Sequence, residues 1–245
     1  MKVSIITATF NSAATVADSI RSVQQQSYQN IEHIIIDGVS KDDTLSIVHA
    51  MHSGTIVSEK DKGIYDAMNK GIAITNGEII GILNSDDYYA DDRIIEKVVN
   101  LFASTGCDAV YGDLLYVDNT DRSKVKRKWI AGKHNKRSFL FGWMPPHPTF
   151  FVKKKIYDQH GVFNLQLGTA ADYELMLRFI YKQGIKVSYL NEVIVKMRTG
   201  GVSNKTVQNR WRANQHDKQA WLINELKPYW FTTILKPVRK IVQFV

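Results

Sequence analysis

The chain has 245 residues, 44% hydrophobic and 23% charged, enough for one large α/β domain with a small C-terminal extension and too apolar for a disordered or low-complexity chain. Its 32 Lys and Arg against 24 Asp and Glu give a net charge of +8, which fits nucleic acid, an anionic membrane surface or a phosphorylated substrate as partner, or simply a basic surface. A single cysteine, Cys107, excludes an intrachain disulfide and fits a reducing compartment, and no apolar run reaches the ~18–20 residues of a membrane span.

Taken in chain order, Val3–Thr7 is a β-rich run that reads as a first strand rather than a leader segment, and Asn11 or Ser12 is placed to cap a helix carrying Val16, Ile20 and Val23. Ile31–Asp37 is a second strand, apolar enough to be buried on both faces. A helix with Leu45, Val48 and Met51 follows, then a short strand at Thr55–Ser58 and a helix over Gly63–Ile74 with Ile64, Met68 and Ile72 on one stripe. Glu78–Leu83 is a fourth buried strand running into Asn84-Ser85-Asp86-Asp87; a helix at about Asp91–Ser104 and a strand at Ala109–Tyr111 complete the alternation. Strands alternating with helices imply a mainly parallel sheet with helices on both faces, and in such sheets ligands bind outside the carboxyl ends of the strands. The second half is mixed. Leu114–Asn119 and Lys126–Ile130 read as antiparallel strands, Thr149–Val152 and Val187–Met197 as further strands, and Asp172–Lys182 and Thr206–Leu226 as helices.

The polar clusters follow the strands. Asp86-Asp87 can be a hard-cation site, because adjacent carboxylates at the end of a buried strand call for a compensating charge, or an acidic turn capping the next helix. Glu59 and Asp61, in Glu59-Lys60-Asp61-Lys62-Gly63, can accept from a base or ribose, or form a charged loop with Asp61 as a cap. Thr7, Ala8, Thr9 and Asn11 end the first strand and Asp37-Gly38 the second. Asp172, at the entry to its helix, is either an N-cap or a general base for an acceptor hydroxyl. Arg198, ahead of Gly200-Gly201-Val202-Ser203, belongs to a phosphate-contacting loop or a plain turn, and His147 sits in a rigid Pro-Pro-His-Pro segment.

Taken in order, Ile5-Ile6-Thr7-Ala8-Thr9-Phe10-Asn11, Ile36-Asp37-Gly38, the run from Ser58 to Gly71, Asn84-Ser85-Asp86-Asp87 and Ala171-Asp172-Tyr173-Glu174 resemble the inverting family 2 glycosyltransferases of the GT-A fold, over residues 1 to about 204. The resemblance implies an α/β fold with a Rossmann-like nucleotide-binding sheet: a catalytic domain at 1–204, with a donor half at 1–111 and a mixed acceptor half at 112–204, and a C-terminal helical extension at 205–245. It implies that Thr7, Asp37 and Asp61 hold the nucleoside, the two aspartates near the base. Asp86 would face the ribose, Asp87 would bind Mn²⁺ or Mg²⁺ at the diphosphate, and Asp172 would be the base of a single inverting displacement. Ala8, Thr9, Asn11, Glu59, Lys70, Asn84 and Arg198 join the expected donor side, and His147, Tyr173 and Glu174 the acceptor side. Ser85-Asp86-Asp87 departs from a strict Asp-x-Asp, which leaves open which carboxylate carries the metal. Gln208-Asn209-Arg210-Trp211 is one residue short of the Gln-x-x-Arg-Trp of processive synthases, so a single addition is expected, with UDP as the family's frequent nucleotide.

In the tail, Trp230, Phe231, Ile234, Leu235, Val238, Ile241, Val242 and Val245 recur at helical spacing beside Lys227, Lys236, Arg239 and Lys240. Such a segment can lie on a membrane, which would place the protein in the cytoplasm at the inner face of the plasma membrane with a lipid-linked saccharide acceptor; packing on its own domain or in a homodimer fits as well. The rival readings are a sugar-phosphate nucleotidyltransferase, which would want a Gly-rich basic loop where this chain has Thr-Ala-Thr-Phe-Asn, and a nucleic-acid-binding module, for which no motif is present, so no nucleic-acid partner is expected.

Overall fold

The computed structural model describes residues 1–133, 135–199 and 207–241. Four strands, β1 (Val3–Thr9), β2 (Ile31–Asp37), β3 (Thr55–Ser58) and β4 (Ile79–Ile82), pair in parallel in the order β3-β2-β1-β4. The alternation of β1 sorts its side chains: Val3 and Ile5 pack on one face of the sheet, Ile6 and Ala8 on the other. On the Ile5 side lie α1 (Val16–Gln24), α2 (Thr44–Met51) and α4 (Ile94–Thr105), whose Val16, Ile20, Val48, Ile94 and Val98 recur at helical spacing and are buried. On the Ile6 side, α3 (Ile64–Ile74) buries Ala67, Met68, Gly71 and Ile72. Ile64, expected on that stripe, is exposed at the helix's first turn.

Beyond β4 the sheet becomes mixed. Its full order is β3-β2-β1-β4-β8-β6-β9-β5, with β7 on β6. The strands added are β5 (Asp87–Tyr89), β6 (Ala109–Val117), β7 (Val125–Trp129), β8 (Phe151–Lys153) and β9 (Val187–Arg198). The two strands expected at Ala109–Tyr111 and Leu114–Asn119 are one, because β9 pairs with β6 along its whole length, across register shifts flanking Asp113. β8 pairs with the start of β6 and β7 with its end, so the expected division at 111/112 falls inside a strand. β5 has only three residues and pairs antiparallel with β9, Asp87 opposite Met197.

Asn11 and Ser12 do not cap α1, which starts at Val16 behind Thr15 without a side-chain cap. Asn11 instead adopts a left-handed φ of 49°, a conformation Asn tolerates, and its Oδ1 accepts from the Lys41 N–H at 2.8 Å.

After α5 (Lys154–His160), a short α6 (Ala171–Met176) continues into a π-helical turn through Lys182. The C-terminal helices α7 (Val207–Ile223) and α8 (Thr232–Ile241) fold back onto this half. Trp221 is fully buried and donates to the Tyr173 hydroxyl at 2.8 Å; Thr232 donates to the Leu140 carbonyl at 2.7 Å. At Gly142 a side chain would begin 2.5 Å from the Lys236 backbone nitrogen, so glycine is what lets α8 lie against the 3₁₀ turn Lys136–Phe141. Among the described residues no helix is long and apolar enough to cross a membrane. The tail positions Val242–Val245 and the segment Gly200–Thr206 lie outside the described residues.

Candidate active site

The carboxyl ends of β1, β2, β3 and β4 bring four loops together. Asp37 is fully buried, accepting from the Ser40 N–H at 3.0 Å and from the Ser40 and Ser58 hydroxyls, so it ties the β2 loop to the end of β3. Gly38 leaves the space that Asp61 occupies, since a Cβ there would lie 2.5 Å from Asp61 Oδ2. Asp61 Oδ1 accepts from the Gly63 N–H at 2.8 Å. Lys70 reaches back from α3 to Glu59 at 2.8 Å and to the Lys60 carbonyl at 2.6 Å, and the bond with Glu59 raises its pKa. Phe10 stands exposed beside Gly38. Of the β1 residues expected on the donor, Ala8 packs in the core and Thr7 is buried with its hydroxyl 3.0 Å from His33 Nε2, because both point along the sheet faces rather than off its end. Thr9, at the strand's last position, has a buried hydroxyl with no hydrogen-bond partner among the described residues.

Two further orphans follow β4. Asn84 donates to Asp87 Oδ2 at 2.9 Å, but Asn84 Oδ1 and Asp87 Oδ1 have no hydrogen-bond partner among the described residues. Asp87 is 0% exposed. Burial first, then the neighbouring Asp86, pushes its carboxyl well above the usual range, against weaker pulls from Asn84 and Arg198. Burial raises Asp86 as well. A buried carboxyl left short of partners beside a second acid is an environment that a divalent cation relieves. The described residues hold no group of three or more His, Cys, Asp or Glu that could hold a metal ion.

Arg198 is placed differently from the expectation. It donates to the Asp86 carbonyl at 2.7 Å and to Asp18 Oδ2 at 2.5 Å, with Tyr88 stacked at 5.4 Å. Its charge is committed to Asp18, so it braces the Asp86 turn from behind instead of standing free for a phosphate.

Across from this turn, Asp172 occupies the second position of α6, inside the helix rather than at its N-cap, and accepts from the Tyr173 N–H at 2.7 Å. Three side chains surround its carboxylate. Burial and then Asp172 raise the Tyr65 phenol well above its ordinary value. His147 is driven toward its neutral form by burial, with Asp172 opposing. Tyr116, raised chiefly by burial, is lowered by Arg127, 4.4 Å over its ring, and raised by both Asp87 and Asp172. Both carboxylates therefore act electrostatically on one phenol. Phe163 packs against Tyr65 and His147 and is clamped by Asn69 through two 2.9 Å backbone bonds.

Tyr173 and Glu174 are corrected by the helix period: each residue turns by roughly 100°, so the two after Asp172 point into the protein. Tyr173 is buried under Lys236, whose ammonium sits 3.8 Å over its ring. Glu174 pairs with Arg178 at 2.8 Å and accepts from Asn224 at 2.9 Å. Both hold the C-terminal helices. Tyr65, Asn69, Tyr116 and Phe163 were not anticipated as site residues; only the first two lie in a motif that could have flagged them.

The Glycosyl transferase family 2 profile matches residues 4–167. An uncharacterized glycosyltransferase of Mycobacterium tuberculosis is 32% identical over 186 residues, 72% of this chain and 68% of that protein. The UDP-Glc:alpha-D-GlcNAc-diphosphoundecaprenol beta-1,3-glucosyltransferase WfaP of Escherichia coli is 36% identical over 99 residues, 39% of each chain. Among solved structures, S. aureus TarS 1-349 in complex with UDP-GlcNAc superposes with a TM-score of 0.69 at 16% identity, covering 93% of this chain and 68% of that one. The mannosyltransferase PcManGT from Pyrobaculum calidifontis, in complex with GDP-Man and Mn²⁺, gives 0.67 at 20% identity over 96% of this chain and 68% of that one. At these identities the two structures establish a shared fold, the α/β GT-A arrangement.

Proposed function

The chain belongs to glycosyl transferase family 2, and from that premise we propose that it moves one sugar from a UDP-sugar onto a hydroxyl of a lipid-linked saccharide, inverting the anomeric carbon. The observation that carries this reading is the gathering of Asp37, Asp61 and the underpartnered Thr9, Asn84 and Asp87 at the carboxyl ends of the parallel strands. These loops concentrate buried oxygen atoms and suit a nucleoside diphosphate with its cation, while Asp172, half-buried at the start of α6, offers a carboxylate to an acceptor. The UDP-GlcNAc of TarS, the GDP-Man of PcManGT and the diphosphoundecaprenol acceptor in WfaP's name support the substrate classes.

Phe10, exposed beside Gly38 and Asp61, offers a ring face to a nucleobase whose polar edge Asp61 can hold. Asp86 and Asp87 would hold the divalent ion, Mn²⁺ or Mg²⁺, the loss of one orphan oxygen's isolation being the gain on binding. When bound, that ion supplies positive charge against the leaving diphosphate. Asp172 takes the proton of the acceptor hydroxyl as its oxygen bonds to the anomeric carbon, and the bond from that carbon to the diphosphate breaks with its electron pair on the phosphate. Tyr65 keeps its proton and its hydrogen bond orients the Asp172 carboxylate, while His147 is held toward neutrality, so neither adds a cation beside the base. A single displacement with one base inverts configuration.

The test is a screen of UDP-, GDP- and dTDP-sugars for hydrolysis by the purified chain with Mn²⁺ and after chelation. Consumption of a UDP-sugar that stops on chelation is expected. Absence of cation-assisted uptake of any nucleoside diphosphate, read by calorimetry, would end the proposal.

A further inference from the structure

The turn between α7 and α8 displays aromatic side chains that the core does not use. Trp230 is 84% exposed and Tyr229 50%, and Phe141 from the neighbouring 3₁₀ turn is 44% exposed. They form a continuous surface rather than scattered rings: Phe141 lies 6.3 Å from Tyr229 and 6.1 Å from Phe231, which in turn lies 5.2 Å from Tyr229 and 5.5 Å from Trp230. Ile234, half exposed one turn into α8, extends it. Contiguous exposed apolar patches of this kind mark contact surfaces, and Trp and Tyr favour the boundary between water and acyl chains.

We propose that this aromatic turn is a docking surface that seats the protein on an anionic bilayer. Its charge selects that occupant. From Lys227 to Val245 the sequence carries Lys227, Lys236, Arg239 and Lys240 and no Asp or Glu. Lys236 is committed to Asp217 at 2.7 Å, while Lys227 is exposed two residues before Tyr229 and Arg239 is exposed with its Nε donating to the Phe141 carbonyl at 2.9 Å. Two copies of this chain meeting through the patch would bring like-charged rims together, whereas anionic headgroups attract them. The surface also touches the helix that carries Asp172: Lys236 of α8 covers Tyr173, the next residue. Docking would thus hold the base-bearing helix near the headgroup layer, where a lipid-linked acceptor presents its saccharide. In this respect the inference rests on the proposed acceptor, but the binding itself does not.

The experiment sediments the full chain with vesicles of phosphatidylcholine containing phosphatidylglycerol, and with phosphatidylcholine alone. Binding to the mixed vesicles, weakened by salt, is expected, with a several-fold loss for the Tyr229→Ala/Trp230→Ala double variant and about a five-fold loss for Lys227→Gln. All three side chains are exposed, so the variants fold, as melting curves would verify. Donor hydrolysis, which these substitutions leave unchanged, reads the transferase assignment separately. Equal sedimentation of the double variant and the parent overturns the proposal. So does a protein that ignores vesicles and forms a dimer, by light scattering, that Trp230→Ala dissolves.

Discussion

Asp87 and Glu174 are both carboxylates withdrawn from solvent, 0% and 2% exposed, yet their surroundings treat them in opposite ways. Glu174 has Arg178 against both oxygens and Asn224 besides, and Arg178 goes on to the Val162 carbonyl at 2.8 Å. Asp87 has one amide on one oxygen, no hydrogen-bond partner on the other among the described residues and a second acid beside it in sequence. A fold under selection for stability alone would complete such a set, as it does at Glu174. The contrast separates a polar cluster that holds helices together from one left short of hydrogen-bond partners among the described residues.

Substitution can sharpen or break this contrast, and the largest effects are expected in activity. Asp172→Asn lowers transfer by about 10²–10⁴-fold in single-turnover assays while the amide oxygen still accepts from Tyr173, leaving the melting temperature in place. Asp87→Asn lowers it by about 10²–10³-fold. At Glu174 the balance reverses: Glu174→Ala strands Arg178 and costs about 3–5 kcal/mol in urea unfolding, with turnover per folded molecule retained at low temperature. Asp87→Asn, by contrast, removes a like-charge repulsion and raises stability by about 1–2 kcal/mol in the metal-free protein. Equal destabilisation by the two substitutions would erase the distinction.

The last expected effect is spread over the acid pH range. His33, buried against His52 with their rings 4.7 Å apart, has its pKa lowered from 6.5 to about 3 by burial and by that neighbour. The native state keeps His33 neutral while the unfolded chain accepts the proton, so its share of stability is complete above about pH 6.5 and is lost as pH falls toward 3, by about 1.4 kcal/mol per pH unit. His33→Gln, which keeps a partner for Thr7 and cannot be charged, should flatten the acid limb of a melting-temperature profile.

Much of the donor half is legible because its information is local. The Ile-rich runs of β2 and β4 and the spacing of Val16, Ile20 and Val23 each specify an element without outside help, and polar clusters after such strands gather at one sheet end by topology. The same logic located Asp86 and Asp87. What escaped depends on partners distant in sequence. Nothing near Arg198 announces Asp18, 180 residues away, and nothing in Leu114-Leu115-Tyr116 marks the tyrosine that faces two acids from other elements. β5 is too short to carry a pattern of its own. Tyr173 and Glu174 are a different kind of miss, since helical geometry alone turns them away from the side Asp172 faces.

The interleaved sheet also has a bearing on engineering. β8 sits between β4 and β6, and β9 runs beside β6 to end against β5, where Asp87 begins. Acceptor preference therefore cannot be exchanged as a cassette: a hybrid with a relative joined at 111/112 would splice two parents within β6 and leave β9 of one parent to register the Asp86-Asp87 turn of the other. Loop grafts that keep β6, β8 and β9 from a single parent are the route along which specificity can be redesigned.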